Sequence, residues 1–172
     1  MIAASLFLEK FLQNYRFKMV KPYLVGDVMD FGGNKGELKK YVSGTYLLVN
    51  YDHSIMDKTS CDTIIALAVV EHIEMDEVFK IFNTFKTILR PGGRIFLTTP
   101  TPLAKPILEL LARVGFLEKD NIAEHKHYWT KAEITKLAVL NKFSVKRYSK
   151  FQLGCNQLAV FEHSRDPVTN FI

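Results

Sequence analysis

The sequence has few cysteines and no long apolar run, and each of these two features excludes certain classes of protein. Its 172 residues include two cysteines, Cys61 and Cys155, too few for a disulfide framework or for a zinc site built from cysteine alone. No apolar run approaches the roughly 20 residues that a membrane-spanning helix needs. We therefore expect a protein of a reducing, cytoplasmic setting that does not span a membrane.

The N-terminal segment lacks the basic flank of a secretion signal, and the charged residues 9 and 10 interrupt its apolar run. Apolar side chains instead recur there at helical spacing: Ala4, Leu8, Phe11, Leu12, Tyr15 and Met19. This spacing predicts an amphipathic helix within residues 1–22 that ends before Pro22 and packs on the rest of the chain. A helix that lies on a membrane surface is the alternative.

The sequence has fewer acidic than basic residues, 18 against 23, which gives a formal net charge of +5. Such an excess permits an anionic ligand or nucleic acid but requires neither, because ordinary solvated lysines account for it equally well. Nothing in the sequence matches a dedicated nucleic-acid motif, so a nucleic-acid partner is not expected.

From residue 25 onward, short apolar strands alternate with amphipathic helices. Strands are predicted at Val28–Phe31, Thr45–Asn50, Thr63–Val70, Arg94–Thr99, Phe143–Ser149 and Gln157–Phe161. This alternation predicts a doubly wound, Rossmann-like α/β fold with a mostly parallel sheet and an antiparallel C-terminal strand. With no linker and no internal repeat, residues 1–172 are interpreted as a single domain.

The helices between these strands are predicted from apolar spacing and from caps. A brief helix at Glu37–Tyr41 follows the first strand, and Asp76 caps a longer one. The next helix presents an inward face made of Leu103, Ile107, Leu110, Leu111 and Val114. Thr130 and Glu133 then have the spacing of a capping box.

Ligands of such folds bind at the carboxyl ends of the strands, and three stretches of sequence mark that edge. They are Asp30-Phe-Gly-Gly-Asn-Lys-Gly36 after the first strand, Glu71-His72 after the third, and Leu89-Arg-Pro-Gly-Gly93 before the fourth. Glycine accepts left-handed backbone angles and lets a ligand come close, and asparagine is among the residues best able to replace it. A tight turn that holds no ligand is the alternative.

Taken in this order, the three stretches resemble the class I S-adenosylmethionine-dependent methyltransferases over about residues 20–162. The first is similar to the family's Asp-x-Gly-x-Gly-x-Gly motif, and the third to its Leu-Lys-Pro-Gly-Gly turn. Three further stretches resemble a subgroup that acts on small molecules and glycans: Thr99-Pro-Thr-Pro102, Glu124-His-Lys-His-Tyr-Trp-Thr130 and Gly154-Cys-Asn-Gln157. The resemblance implies S-adenosylmethionine as the cofactor and a small-molecule or glycan-like acceptor.

The resemblance also assigns cofactor-binding positions. Those that would hold the methionyl part are Asp30, Gly32, Gly33, Asn34, Gly36, Ala66, Leu67 and Ala68. Where the family has an acidic residue for the ribose hydroxyls this chain has Asn50, and Asp52 is the alternative.

The segment between the second and third predicted strands is short for this family. Its 11 residues, 51–61, are too few for the helix, edge strand and helix that the family places there. We therefore expect a sheet that is shortened at this edge, with adenine against Ile55, Met56 or Asp57.

Methyl transfer to an oxygen or nitrogen atom that carries a proton needs a base that takes up this proton. The candidate catalytic residues are Glu71, His72, His125 and His127. In an extended segment His125 and His127 would lie on one side, which favours an acceptor-pocket wall with His125 as the base; packing of the loop is the alternative. A metal bound by this pair would lack further obvious ligands, so no metal site is predicted.

Two other functions fit parts of the pattern. A methyltransferase-like module that binds without catalysis would be consistent with Asn34 and with the short adenine side. A nicotinamide-dinucleotide oxidoreductase is disfavoured, because glycines at 32, 33 and 36 do not have the Gly-x-Gly-x-x-Gly spacing.

Overall fold

The computed structural model describes residues 2–50, 56, 59–116 and 124–163, without the side chains of residues 2–6 and 8. The positions Asp52, Ile55 and Asp57, proposed above for the ribose and adenine, lie outside the described residues. The helices are α1 (Ile2–Val20), α2 (Met75–Ile88), α3 (Ala104–Arg113) and α4 (Lys131–Leu140). The strands are β1 (Val28–Phe31), β2 (Tyr46–Val49), β3 (Cys61–Leu67), β4 (Leu89–Pro100), β5 (Phe143–Phe151) and β6 (Asn156–His163).

The six strands form one sheet in the order β2-β1-β3-β4-β6-β5. Strands β1 to β4 pair in parallel, and β6 runs antiparallel to both β4 and β5. The predicted α/β fold with an antiparallel C-terminal strand is therefore confirmed. So is the shortening of the sheet, because β2 is its edge strand and the described residues between β2 and β3 add no further strand.

The sheet separates two apolar layers, and the alternation of side chains along each strand feeds both of them. Ile64 points into the layer that contains Phe82 and Phe85 of α2, whereas its neighbour Ile65 points into the layer that contains Phe96. Strand β3 is thus covered on both faces, as expected of a central parallel strand. This double burial fixes the position of the loops at its carboxyl end.

The prediction of which face of α3, the helix before Gly115, points inward is wrong. Leu103, Ile107, Leu110 and Val114 are 41–60% exposed, whereas the buried residues of α3 are Ala104 and Ala112. The two buried alanines are on the side of α3 that faces the body, so its bulky apolar stripe points outward. In α1, Phe11 is likewise 55% exposed, whereas Tyr15 stacks on Phe151 of β5 with ring centroids 5.7 Å apart and Val20 is fully buried. No described helix is long and apolar enough to cross a membrane.

Three local predictions are also corrected. The turn expected at residues 90–93 is an irregular part of β4, because Leu89 pairs with Cys61 and Arg94 with Thr63 while the residues between them bulge out. The brief helix at Glu37–Tyr41 is a 3-10 helix. Helix α2 begins at Met75, after Glu74 rather than at Asp76. Each correction concerns a boundary and leaves the order of elements unchanged.

The capping box of α4 is confirmed. The backbone N–H of Glu133 donates to Thr130 Oγ1 at 3.2 Å, and the backbone N–H of Thr130 donates to Glu133 Oε2 at 2.7 Å. Two N–H groups that the helix cannot satisfy internally are therefore paired.

Replacing Thr130 with alanine is expected to lower the free energy of unfolding by about 1 kcal/mol, because the N-cap acceptor is lost. Urea denaturation followed by circular dichroism measures the change. Thr135→Ala is the matched control: its hydroxyl donates to Lys131 O within the same helix, so its loss should be smaller. Equal losses in the two variants would contradict a specific capping role.

Candidate functional site

A pocket of about 390 Å³ opens at the carboxyl ends of β1, β2 and β3. Gly32 and Asn34 line it from the loop after β1, which we call the glycine loop (residues 32–36), and Asn50 lines it from the end of β2. Ala68 and His72 line it from the turn after β3. Its volume is within the range of small-molecule sites, and it lies where ligands of this kind of sheet bind.

Left-handed backbone angles shape the glycine loop. Gly32 has φ +73°, Asn34 has φ 51° and Gly36 has φ +68°. A Cβ atom at Gly32 would lie 2.5 Å from Cγ2 of Val69, and the N–H of Gly32 donates to Val49 O at 2.7 Å. Position 32 therefore requires glycine for its backbone angle and for its contact with the turn after β3.

Asp30 supports this loop from the core. It is 2% exposed and accepts a hydrogen bond from the Tyr46 hydroxyl. A Cβ atom at Gly33 would lie 2.2 Å from Asp30 Oδ2, so the carboxyl group packs directly on the loop backbone. Burial raises the pKa of Asp30 to about 6, although the Tyr46 hydrogen bond opposes the shift.

Asp30→Asn is expected to flatten the pH dependence of stability. The native pKa of Asp30 is above its ordinary 3.8, so the native state holds a proton that the unfolded chain releases, and stability falls as pH rises to about 6. Asparagine cannot ionise and still offers Tyr46 an acceptor. Between pH 4 and about pH 7.5, the wild type should therefore lose on the order of 3 kcal/mol of unfolding free energy that the variant keeps.

Urea denaturation at a series of pH values measures this difference. Asp27→Asn is the control, because burial contributes little to Asp27 and its pKa is lowered by the Arg90 hydrogen bond. That substitution should destabilise the protein most at neutral pH, the opposite trend. A wild-type pH profile in Asp30→Asn would contradict the prediction.

Asn50 is bonded to the glycine loop by both of its polar atoms. Its Oδ1 accepts from the N–H of Asn34 at 3.1 Å, and its Nδ2 donates to Asn34 O at 2.8 Å. An amide can make both bonds, whereas a carboxylate can only accept. The sequence departs from the family pattern at 34 and at 50, and this pairing links the two departures.

The remaining positions assigned to the cofactor divide between pocket wall and core. Ala68 lines the pocket with φ 56°, and its N–H donates to Thr98 O at 2.9 Å. Ala66 is fully buried within β3, and Leu67 is half-buried on the opposite layer of the core. Of the described positions assigned to the cofactor, Gly32, Asn34, Asn50 and Ala68 therefore line the pocket.

A second group of polar side chains adjoins the pocket through His72. We call Glu71, His72 and His125 the Glu-His-His cluster: one ligand atom from each lies within 4.8 Å of the others. The rings of His72 and His125 meet edge to face with centroids 4.7 Å apart, and His125 Nδ1 lies 3.1 Å from the Tyr128 hydroxyl. The sequence prediction named all three residues, and the fold brings them together.

The cluster has two halves: Glu71 and His72 on the turn after β3, and His125 on segment 124–129. Hydrogen bonds hold these two halves together. The N–H groups of Lys126 and His127 both donate to Glu71 O, at 2.8 and 3.2 Å. Trp129, which is fully buried, donates from Nε1 to Val70 O at 3.3 Å, and Gln157 Nε2 donates to Trp129 O at 2.6 Å. The segment 124–129 is thus fixed across the turn that follows β3.

Burial dominates the titration of the cluster. It raises the pKa of Glu71 to about 7, against opposing hydrogen bonds and the charge of Arg16. It lowers the pKa of His125 to about 4, and the neighbouring His72 and Arg16 add to this effect. The pKa of His72 is also lowered by burial, against the charge of Glu124. Both imidazoles are therefore neutral at pH 7, and Glu71 exchanges its proton near that pH.

The structure does not place His127 in the cluster. Its Nε2 lies 3.1 Å from Glu133 Oε1, and its ring meets that of Trp129 at 5.2 Å. The expected pairing of His125 and His127 on one side is not observed, because each ring has different neighbours. Sequence reasoning missed Arg16, whose charge acts on Glu71 and His125 from α1; the only signal was a charged residue among the apolar positions of that helix.

Comparison with known proteins agrees with this geometry. The family model described as "methyltransferase domain" matches residues 7–145, whereas no curated protein sequence matches the chain. A SAM-dependent methyltransferase from Archaeoglobus fulgidus superposes with a TM-score of 0.68 at 12% identity, covering 91% of this chain and 98% of that one.

Two similar structures are longer proteins. The pyocyanin biosynthetic protein PhzM gives a TM-score of 0.66 at 13% identity, covering 88% of this chain and 55% of that one. CalO1, a methyltransferase in calicheamicin biosynthesis in its SAH-bound form, gives 0.65 at 12%, covering 89% and 54%. This chain spans about half the length of each, and at such identities the likeness shows the fold. Because the family model covers most of the sequence, the chain belongs to the methyltransferase domain family, and its fold is that of the SAM-dependent methyltransferase from Archaeoglobus fulgidus.

Proposed function

We propose that this protein transfers the methyl group of S-adenosylmethionine to an oxygen or nitrogen atom of a small or glycan-like acceptor. The observation that carries the proposal is the pocket between the glycine loop and the turn after β3. Gly32, Asn34, Ala68 and His72 all line it, so the glycine loop and His72 of the Glu-His-His cluster border one cavity.

The residues of the pocket fit the methionyl part of this cofactor. A Cβ atom at Gly32 would clash with Val69. Because glycine has no Cβ atom, a ligand can approach the loop backbone. Asn50 Oδ1 keeps one lone pair beyond its bond to Asn34, enough for one ribose hydroxyl. When bound, S-adenosylmethionine supplies a sulfonium methyl group that is open to in-line attack.

The chain's own part in the reaction is to orient the acceptor and to receive its proton. The neutral imidazole of His72 lines the pocket and offers a lone pair to an acceptor N–H or O–H. Behind it, Glu71 has a pKa of about 7, which suits proton uptake near neutral pH. Proximity and orientation supply much of the remaining acceleration.

Isothermal titration calorimetry with S-adenosylmethionine and S-adenosylhomocysteine tests the proposal. Each should bind at one molecule per chain, and hydroxylated or aminated small molecules and glycans should then yield S-adenosylhomocysteine. The absence of heat with either ligand at millimolar concentration would overturn it.

His125→Ala is expected to lower turnover while the affinity for S-adenosylmethionine stays unchanged, because the ring of His125 contacts that of His72, the member of the cluster that lines the pocket. Lys126→Ala is the matched control: its Nζ pairs with Glu74 at the surface, 3.1 Å away, so turnover should remain at the wild-type level. Unchanged turnover in His125→Ala would assign this residue a packing role.

A methyltransferase-like module that binds without catalysis is the second candidate, and the bonds between Asn34 and Asn50 favour it. These bonds occupy the amide where the family has an acidic residue for the ribose. S-adenosylmethionine binding in calorimetry, with no S-adenosylhomocysteine formed from any acceptor, would support this candidate over the enzyme.

A further inference from the structure

We propose that Glu71, His72 and His125 bind one divalent first-row transition-metal ion, of the zinc, cobalt or iron(II) kind, at the edge of the pocket. Their three ligand atoms lie within 4.8 Å of one another. Ion binding itself requires neither S-adenosylmethionine nor an acceptor.

The ligand set suits this class of ion. Two imidazoles and one carboxylate favour zinc, cobalt or iron(II) over magnesium or calcium, which prefer oxygen ligands. Tetrahedral ligands about 2.1 Å from an ion are separated by about 3.4 Å, so small side-chain rotations would close the cluster around one. Three protein ligands leave a fourth position free, as in catalytic zinc sites.

An unpartnered buried atom points to a ligand independently of the spacing. Glu71 is 1% exposed, and its Oε2 has no hydrogen-bond partner among the described residues. A buried polar atom of this kind is costly unless it is paired. A cation held between Glu71 and the two imidazoles would pair it.

The surrounding structure holds the ligands in place. The Tyr128 hydroxyl lies 3.1 Å from His125 Nδ1 and limits rotation of that ring, as outer partners of metal ligands commonly do. The hydrogen bonds from residues 126 and 127 to Glu71 O join the two segments that supply the ligands. The two segments that supply the ligands are therefore held together without the ion.

Arg16 opposes the ion. Its positive charge acts on both Glu71 and His125, so it competes with a cation for the carboxylate. Removing this charge with Arg16→Gln is expected to tighten ion binding, because the repulsion disappears while the three ligands remain.

The location of the site gives the ion a role that rests on the proposed function. His72 belongs to both the cluster and the pocket wall, so the free position of the ion lies beside the acceptor. An acceptor hydroxyl bound to the ion would lose its proton more readily. In the ion-loaded protein the lone pair of His72 would bind the ion, so the proton that the metal-free protein passes to His72 would pass to water instead.

Cobalt(II) titration of the chelator-treated full chain, followed by visible d–d absorption, tests ion binding without S-adenosylmethionine or acceptor. Wild type should bind one cobalt per chain, and zinc should displace it. His125→Ala and Glu71→Gln should each weaken binding by at least about tenfold. His127→Ala is the matched control on the same segment and should keep the wild-type affinity, because His127 faces Glu133.

Circular dichroism checks that each variant folds, and His72→Ala replaces Glu71→Gln if the buried substitution does not. The proposal is overturned if wild type shows no cobalt band, if His125→Ala binds like wild type, or if His127→Ala loses as much affinity as His125→Ala. Equal or weaker binding by Arg16→Gln would also contradict it. A failure here leaves calorimetry of S-adenosylmethionine unaffected, so the two proposals fail separately.

Discussion

Gly32→Val is expected to abolish binding of S-adenosylmethionine in calorimetry. Position 32 combines φ +73° with a Cβ that would lie 2.5 Å from Cγ2 and 2.7 Å from Cγ1 of Val69. A branched side chain there has to push apart the glycine loop and the turn after β3, which are the two walls of the pocket. Under the proposed function, the cofactor then loses the surface that would hold its methionyl part.

Alanine substitutions at Gly32 and Gly36 form a matched pair that separates close contact from backbone strain. Both glycines have similar left-handed angles, but a Cβ at Gly36 would be 3.3 Å from its nearest neighbour, the Tyr46 hydroxyl. Gly32→Ala should weaken binding by at least about tenfold, equivalent to about 1.4 kcal/mol, and Gly36→Ala by less. Equal losses would show that the turn after β3 does not form the pocket wall.

Trp129→Ala is expected to lower the free energy of unfolding by about 4 kcal/mol, the cost typical of truncating a buried aromatic side chain. Trp129 is fully buried and donates from Nε1 to Val70 O at 3.3 Å. Its removal leaves a cavity between segment 124–129 and the turn that carries Glu71. Urea denaturation followed by far-ultraviolet circular dichroism measures the loss.

Trp129→Phe and Tyr128→Phe are the controls. The first keeps most of the buried ring and removes the indole N–H, so its cost should be clearly smaller than that of alanine. The second alters the neighbouring, half-buried aromatic residue by one hydroxyl group and should cost least. A loss below about 1 kcal/mol in Trp129→Ala would contradict the role of this side chain in the core.

The sequence was sufficient to predict the sheet because strand signals depend on local composition. An apolar run such as the one in β3 indicates a strand that is buried on both faces. The indication does not depend on which elements cover those faces. The glycine loop was equally predictable, since its left-handed angles restrict the residues that fit. The antiparallel C-terminal strand was predicted together with these elements, and the shortened edge was predicted from the resemblance to the methyltransferase family.

Helix faces and side-chain partners were harder to predict. Spacing shows that Leu103, Ile107 and Leu110 share one side of α3, but not that the alanines of the other side pack on the body. Similarly, the two-residue spacing of His125 and His127 does not predict that His125 contacts Tyr128 and that His127 contacts Glu133. Such contacts join residues distant in sequence or depend on local twist, so periodicity alone does not determine them.

Trp129 is the single tryptophan of the chain, and its position beside the turn after β3 has an optical consequence. An indole enclosed by apolar side chains emits at shorter wavelength than one in water, so native Trp129 should fluoresce to the blue of the unfolded chain. If segment 124–129 separates from that turn, water reaches the ring and the emission shifts to the red. The protein thus contains an intrinsic fluorophore that reports, without any label, whether the two halves of the Glu-His-His cluster are together.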